Sequence, residues 1–464
     1  MTHSPVGPAS RPDRPRSPVL PTTPSRRMIE PLAHFLELQS ASGIVLIVCT
    51  LVALALANSP WASAWDHFWH TEARISLGTW ELQASLAHWV NDGLMTIFFF
   101  LVGLEIKREL AAGELRTPQK AALPIFAALG GMVVPAAIYL LREAGSEGSR
   151  GWGIPMATDI AFAVGVLALL GRRVPVGLKI FLLALAIADD IGAILIIALF
   201  YSGKISAIAL GLAAFGIVCV QVLNRIGVRS VPVYVLVGIG VWLGMFHSGI
   251  HPTVAGVVLG LMTPVRPWIA GGALTEMLLD AVDRLDGKLD RPSHDHEHSR
   301  LVGTLTVAVR ESASPLERLE AALHPWVAFV IMPIFALANA GVPLNPAAAG
   351  HSVAWSVAAG LVLGKPLGIV LFSWLAVQVG IARLPAGVHW LALLGAGCLG
   401  GIGFTMSLFI AGLALEGTLL DAAKIGTLTG STVSAIAGLT LLITFLPRVA
   451  GPAEKSPPGG EHAV

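Results

Sequence analysis

Asp189 and Asp190 stand side by side in residues 180–200, a 21-residue run in which every other residue is apolar or glycine. A run of about 20 apolar residues crosses a bilayer as one helix, which puts both carboxylates near the midplane. Each charge there costs about 2.5–3.5 kcal/mol on insertion scales, a cost sustained only where the charge is used. Adjacent residues on a helix point about 100° apart, so the two side chains cannot share one partner. One can face a water-filled path while the other meets a neighbouring helix, a division that suits an ion carrier. Two more charges lie at membrane depth: Asp159 inside Ala157-Thr158-Asp159-Ile160-Ala161-Phe162-Ala163, and Lys365 inside Gly364-Lys365-Pro366-Leu367-Gly368. A static salt bridge between Lys365 and one aspartate is a competing use of these groups. It leaves a surplus of acid that must be protonated or neutralised by a cation. Competition between H⁺ and a metal cation for one carboxylate is itself an exchange mechanism, and the adjacent pair should titrate as a coupled unit.

The elements that must position these groups follow from composition. Hydrophobic residues make up 55% of the chain and charged residues 13%, with a mean hydropathy of +0.74, the profile of an all-α polytopic membrane protein. Twelve apolar segments are predicted, near residues 38–58, 87–106, 121–141, 152–170, 177–201, 205–223, 231–247, 250–265, 325–343, 354–380, 388–414 and 426–447. With the N-terminus inside, 24 of the 30 Lys and Arg residues fall on the cytoplasmic side. Five (Arg74, Arg142, Arg150, Lys204 and Lys424) fall on the other, so both termini are expected in the cytoplasm. Two spans read as broken: 152–170 by Pro155, Thr158 and Asp159, and 388–414 by Gly395, Gly397, Gly400, Gly401 and Gly403. The exposed helix ends of such breaks meet ions and side-chain charges. Residues 61–84, alternating from Ala73 to Gln83 with Gly78 at a turn position, predict a small extracytoplasmic β-hairpin able to pair with a second copy. Residues 1–27 read as a disordered cytoplasmic tail rather than a signal peptide, 28–448 as a single membrane domain and 449–464 as a second tail; Met28 is an alternative start. The long hydrophilic connection 266–320 holds His294, His296 and His298, read as a solvated loop because no distant ligands complete a metal shell. Cys49, Cys219 and Cys398 are isolated small core residues, and no motif for ATP or nucleic acid is present.

Several stretches together resemble the NhaA family of bacterial sodium/proton antiporters, over residues 28–447. They are Trp89-Val90-Asn91-Asp92, residues 100–110 (FLVGLEIKREL), Ala157 to Ala163, Ala188-Asp189-Asp190-Ile191-Gly192-Ala193-Ile194, Gly364 to Ile369, and Gly401-Ile402-Gly403-Phe404-Thr405-Met406-Ser407. The resemblance implies twelve transmembrane helices with inverted repeats and two crossed broken helices, the family being a recognised instance of that architecture. It also implies a homodimer held partly by the hairpin, in the bacterial inner membrane, and pH-regulated, electrogenic exchange of internal Na⁺ or Li⁺ for external protons without a cofactor. Residue by residue, Asp190 matches the principal cation-binding carboxylate and Asp189 its neighbour, paired with Lys365. Asp159 matches the acid at the helix break, and Thr158 an oxygen ligand beside it. Glu105, Glu109, Glu320, His324 and His251 match positions associated with pH regulation around the cytoplasmic funnel, although Glu105 and Glu109 with Lys107 and Arg108 also read as an ordinary solvated helix end. Asp92 is expected at the outer end of its span in a structural role. Pro252, the 266–320 connection and the N-terminal tail depart from the family pattern.

Two other classes of function fit the chain less well. An intramembrane aspartyl protease needs acids facing each other across two helices with a Gly-x-Gly-Asp segment, whereas here the acids are neighbours and Gly401-Ile402-Gly403 leads to Phe404. A sodium-coupled symporter of an organic anion is disfavoured by the excess of buried carboxylates.

Overall fold

In hydrocarbon every peptide group must find its hydrogen bond within the segment, and the chain accordingly folds almost wholly into helices. The computed structural model describes residues 39–446 apart from 78–79, 229, 270 and 287–294, so both expected tails, Met28, Gly78 and His294 lie outside the described residues. Helix α1 (Gln39–Ala57) turns through 113° into the short α2 (Ala62–His70). The hairpin follows, with β1 (Glu72–Leu77) antiparallel to β2 (Trp80–Ser85) and Glu72 opposite Ser85. Then come α3 (Leu86–Ala111) and α4 (Pro118–Glu143), and the first broken pair, a 3₁₀ helix α5 (Glu147–Met156) bent 44° from α6 (Ile160–Leu169). Helix α7 (Val176–Phe200) carries the two aspartates. It is followed by α8 (Ala207–Arg225), α9 (Val231–Ser248) and the short α10 (Thr253–Met262). The remaining elements are α11 (Gly271–Asp286), α12 (Asp295–Ser312), α13 (Pro315–Asn339), α14 (Ser352–Gln378), the second broken pair α15 (Trp390–Gly400) and α16 (Phe404–Ala414), bent 46°, and α17 (Gly417–Phe445).

Each expected apolar segment falls on a helix or a broken helix pair, and four local expectations change. The hairpin occupies 72–85 only, because residues 62–70 are helical: Trp61 at the N-cap, Trp65, Phe68 and Trp69 repeat at helical spacing. The 266–320 connection is largely two helices, α11 and α12, with His296 and His298 on the second. Helix α13 starts ten residues before the apolar segment, fixed by a capping box in which Ser314 and Glu317 exchange side-chain and backbone bonds. Lys424 sits inside α17 near Asp421 rather than in a connection.

Close approach of α4 and α14 sets the frame for the site. Gly130 and Gly368 meet backbone to backbone, so a Cβ on either would strike the other's carbonyl oxygen. On the same seam Gly364 lies against Pro135, and Gly360 packs against Pro155 of α5. The turn Gly360–Gly364 is a π-bulge immediately before Lys365, which re-aims the lysine into the core.

Candidate ion-binding site

The two helix breaks cross beside the middle of α7. The backbone N–H of Asp159 donates to the Ile402 carbonyl at 2.7 Å, joining one break to the other. Asp159 is the N-cap of α6, its Oδ1 accepting from the Phe162 amide at 3.0 Å. Its Oδ2 accepts from the Thr405 amide at 3.2 Å and from the Thr405 hydroxyl. One carboxylate therefore serves the N-terminal ends of two helices, whose partial positive charge offsets its own. The amides of Gly403 and Phe404 are received by Ser431 Oγ from α17, at 3.2 and 3.1 Å.

Lys365 supplies the opposite charge. Its Nζ donates to Asp189 Oδ2 at 2.6 Å and to Thr158 Oγ1 at 2.9 Å, and the Thr158 hydroxyl in turn donates to the Gly400 carbonyl at 2.8 Å. The ammonium thus lies toward the C-terminal end of α15, where a cation is favoured. Both members of the Lys365–Asp189 pair are 1% exposed.

Two oxygens remain. Asp189 Oδ1 and Asp190 Oδ1 are buried and accept no hydrogen bond. The charges that act most strongly on Asp190 are three acids, Asp189, Glu105 and Asp159, ahead of Lys365. Buried acceptors of that kind need a proton or a cation. Hard carboxylate oxygens suit a small alkali cation, and among the described residues no group of three or more His, Cys, Asp or Glu fits a resident metal.

The expected regulatory residues divide between the two ends of α3. Arg108 pairs with Glu320 of α13 and lies 3.9 Å from Glu109, which also receives the Glu114 amide at 2.9 Å. Glu105, one turn deeper, is within electrostatic reach of Glu320, Arg108, Glu109 and Asp190. His324 is exposed on α13. His251 is not in this cluster: it sits beside Asp92 at the far end of α3, with Nε2 3.6 Å from Asp92 Oδ1, while His88 Nε2 is 3.0 Å from Oδ2. Matching by sequence position carries no distance, which is why His251 was grouped with the glutamates. Thr405 and Ser431 were not singled out. Thr405 lay within the glycine-rich motif, but nothing in the chain marks Ser431.

The sequence profile of the family described as Na+/H+ antiporter 1 matches residues 33–442. The chain is 53% identical over 430 residues to the Na(+)/H(+) antiporter NhaA of Rhodopirellula baltica, covering 92% of this chain and 97% of that one. It is 49% identical over 438 residues to Na(+)/H(+) antiporter NhaA 2 of Acidiphilium cryptum, covering 94% and 97%. To Na(+)/H(+) antiporter NhaA 2 of Sorangium cellulosum it is 51% identical over 430 residues, covering 90% and 91%.

Proposed function

This chain belongs to the Na+/H+ antiporter 1 family and is a secondary transporter rather than an enzyme, and on that footing we propose that it exchanges cytoplasmic Na⁺ or Li⁺ for external protons by alternating access around Asp190 and Asp189. The observation that carries this reading is the buried Asp190 Oδ1, which accepts no protein hydrogen bond, with the likewise unbonded Asp189 Oδ1 and the Thr158 hydroxyl and amide beside it. With the site open to the cytoplasm, the pair releases protons and the cation takes their place on the oxygens. With the site open outward, protons displace the cation. Thr158 joins as a ligand once Lys365 withdraws from it, since its hydroxyl otherwise serves Lys365 and Gly400. Asp159, with both oxygens on helix ends, acts by holding the crossing in place.

Two groups change protonation in each cycle, either both carboxylates or Asp190 and Lys365, so more than one proton moves per cation. The membrane potential, worth about 2.3 kcal/mol per charge per 100 mV, then drives extrusion. The distribution of Lys and Arg supports cytoplasmic termini in a bacterial inner membrane. The Glu105, Arg108, Glu109 and Glu320 cluster, with His324 on the same helix as Glu320, is the proposed site of pH regulation. The hairpin is the proposed contact between two copies. Acidification halts turnover, because a protonated carboxylate does not hold Na⁺.

The test uses everted vesicles carrying a pH-gradient dye. Adding Na⁺ should dequench the dye with the wild-type protein and leave it quenched with Asp190→Asn, and wild-type-like exchange by that variant overturns the assignment. Charge movement unchanged by Lys365→Ala removes the lysine from the proton count.

A further inference from the structure

Glu143, the last residue of α4, is buried and lies outside the ion site. Its partners are hydroxyls and helix ends rather than a base. Ser356 donates to its Oε1 at 3.0 Å and Ser146 to its Oε2 at 2.9 Å, with the Ser352 side chain within bonding reach as well. Ser146 is the N-cap of α5, and Ser352 opens α14 directly after its own N-cap, His351. One carboxylate therefore joins the N-terminal ends of two helices, where a negative charge is favoured. Asp159 does the same for α6 and α16 at the break. Packing at the Glu143 tie is close: a Cβ on Gly148 would stand 2.6 Å from the Val353 side chain and 3.2 Å from Glu143 Oε2.

Between the two acids runs α5, ten residues of 3₁₀ helix, a winding seldom sustained for more than about four residues because its hydrogen bonds are poorer than those of an α-helix. Ten residues span about 20 Å in this winding and about 15 Å as an α-helix. Neighbouring hydroxyls hold the longer form. Tyr139 donates to the Gly148 carbonyl at 2.7 Å, Tyr201 to the Arg150 carbonyl at 2.8 Å and Ser407 to the Ile154 carbonyl at 2.7 Å. Two residues past α5 stands Thr158, bonded to Lys365 of α14. The segment is thus joined to α14 twice, at Glu143 and at Thr158, and the winding of α5 sets where Thr158 stands along α14. We infer that Glu143 is a positioning residue for cation binding: by anchoring the start of α5 to the start of α14, it keeps α5 in its long winding and the Thr158 hydroxyl level with Lys365 and Asp189. Released from Glu143, α5 relaxes toward the shorter winding and draws Thr158 from the ion site. The inference rests on the reading of Thr158 as a cation ligand given above.

The test uses the full-length protein reconstituted in liposomes, with exchange rates measured over a range of Na⁺ concentrations. Glu143→Ala should raise the KM for Na⁺ several-fold and leave the maximal rate near wild type. Glu143→Gln, which keeps the bulk and can still bond both serines, should recover most of the affinity. A residue that only supports folding would lower the maximal rate without moving KM. Hydrogen exchange adds an independent reading: amides of residues 147–158 should exchange several-fold faster in Glu143→Ala while those of α8 are unchanged. In a Thr158→Val background Glu143→Ala should add no further rise in KM, because the two act through one ligand. If Glu143→Ala does not fold, Ser356→Ala removes one of the bonds and should shift KM the same way by less. A wild-type KM in folded Glu143→Ala, or unchanged exchange in 147–158, overturns the inference. Two variants keep its failure apart from that of the transport reading. If Thr158→Val raises KM and Glu143→Ala does not, only the anchor fails; if Asp190→Asn exchanges normally, the transport reading fails first.

Discussion

The two faces of α7 are equally buried and differently furnished. On one, Asp189 meets Lys365, and the same ammonium reaches Thr158 and the end of α15, beside an Asp159 whose oxygens are all engaged. On the other, Asp190 has an oxygen without a donor. The first face is largely engaged by protein partners and the second is not. The difference refines the charge count made from the sequence. Three acids against one base is not the effective imbalance, because the N-terminal ends of α6 and α16 neutralise Asp159 and the lysine neutralises Asp189. What is left over is Asp190, with the unbonded Oδ1 of Asp189 beside it.

That contrast can be broken experimentally. The largest effect on transport is expected from Asp190→Asn, which should abolish exchange while thermal unfolding in detergent stays close to wild type. Equal losses of activity and stability would erase the distinction between the faces. Lys365→Ala should cost about 3–5 kcal/mol in denaturant unfolding, since it leaves a buried carboxylate unpaired. The double variant Lys365→Met/Asp189→Leu should recover most of that loss, and a strictly additive result would show that the pair is not coupled. Thr405→Val removes one of the bonds to Asp159 and should cost about 1–3 kcal/mol, while leaving the Thr405 amide in place. Arg108→Gln should be the mildest. Its guanidinium is over a third exposed, so stability should fall by less than about 1 kcal/mol, and a changed pH profile of exchange would be the informative readout.

Charge placement made the centre of the fold legible. A carboxylate pair in an unbroken apolar run identifies α7, and a buried acid or a glycine cluster inside a span identifies each break. Partnership was less legible. Nothing in the chain says that Asp159 receives the end of α16, because that bond joins residues 246 positions apart and depends on the angle at which two breaks cross. Hydropathy also hid the amphipathic α11 and α12, whose polar faces lower the average that marks a span. The alternating pattern that does describe the hairpin was carried too far back, over the aromatic stripe of α2. His251 taught the opposite lesson: a titratable residue shared with a family says which group is present and not which end of a helix it serves.

The glycine seam between α4 and α14 restricts how such a carrier can move. Two helices whose main chains touch resist sliding or rolling against each other, so α4 and α14 should move together, carrying the backbone of Lys365 with them. Motion is left to the boundaries padded by side chains, where surfaces can shear without a backbone collision. Gly368→Ala is then less a cavity problem than a wedge, prying apart the plank on which the lysine rides.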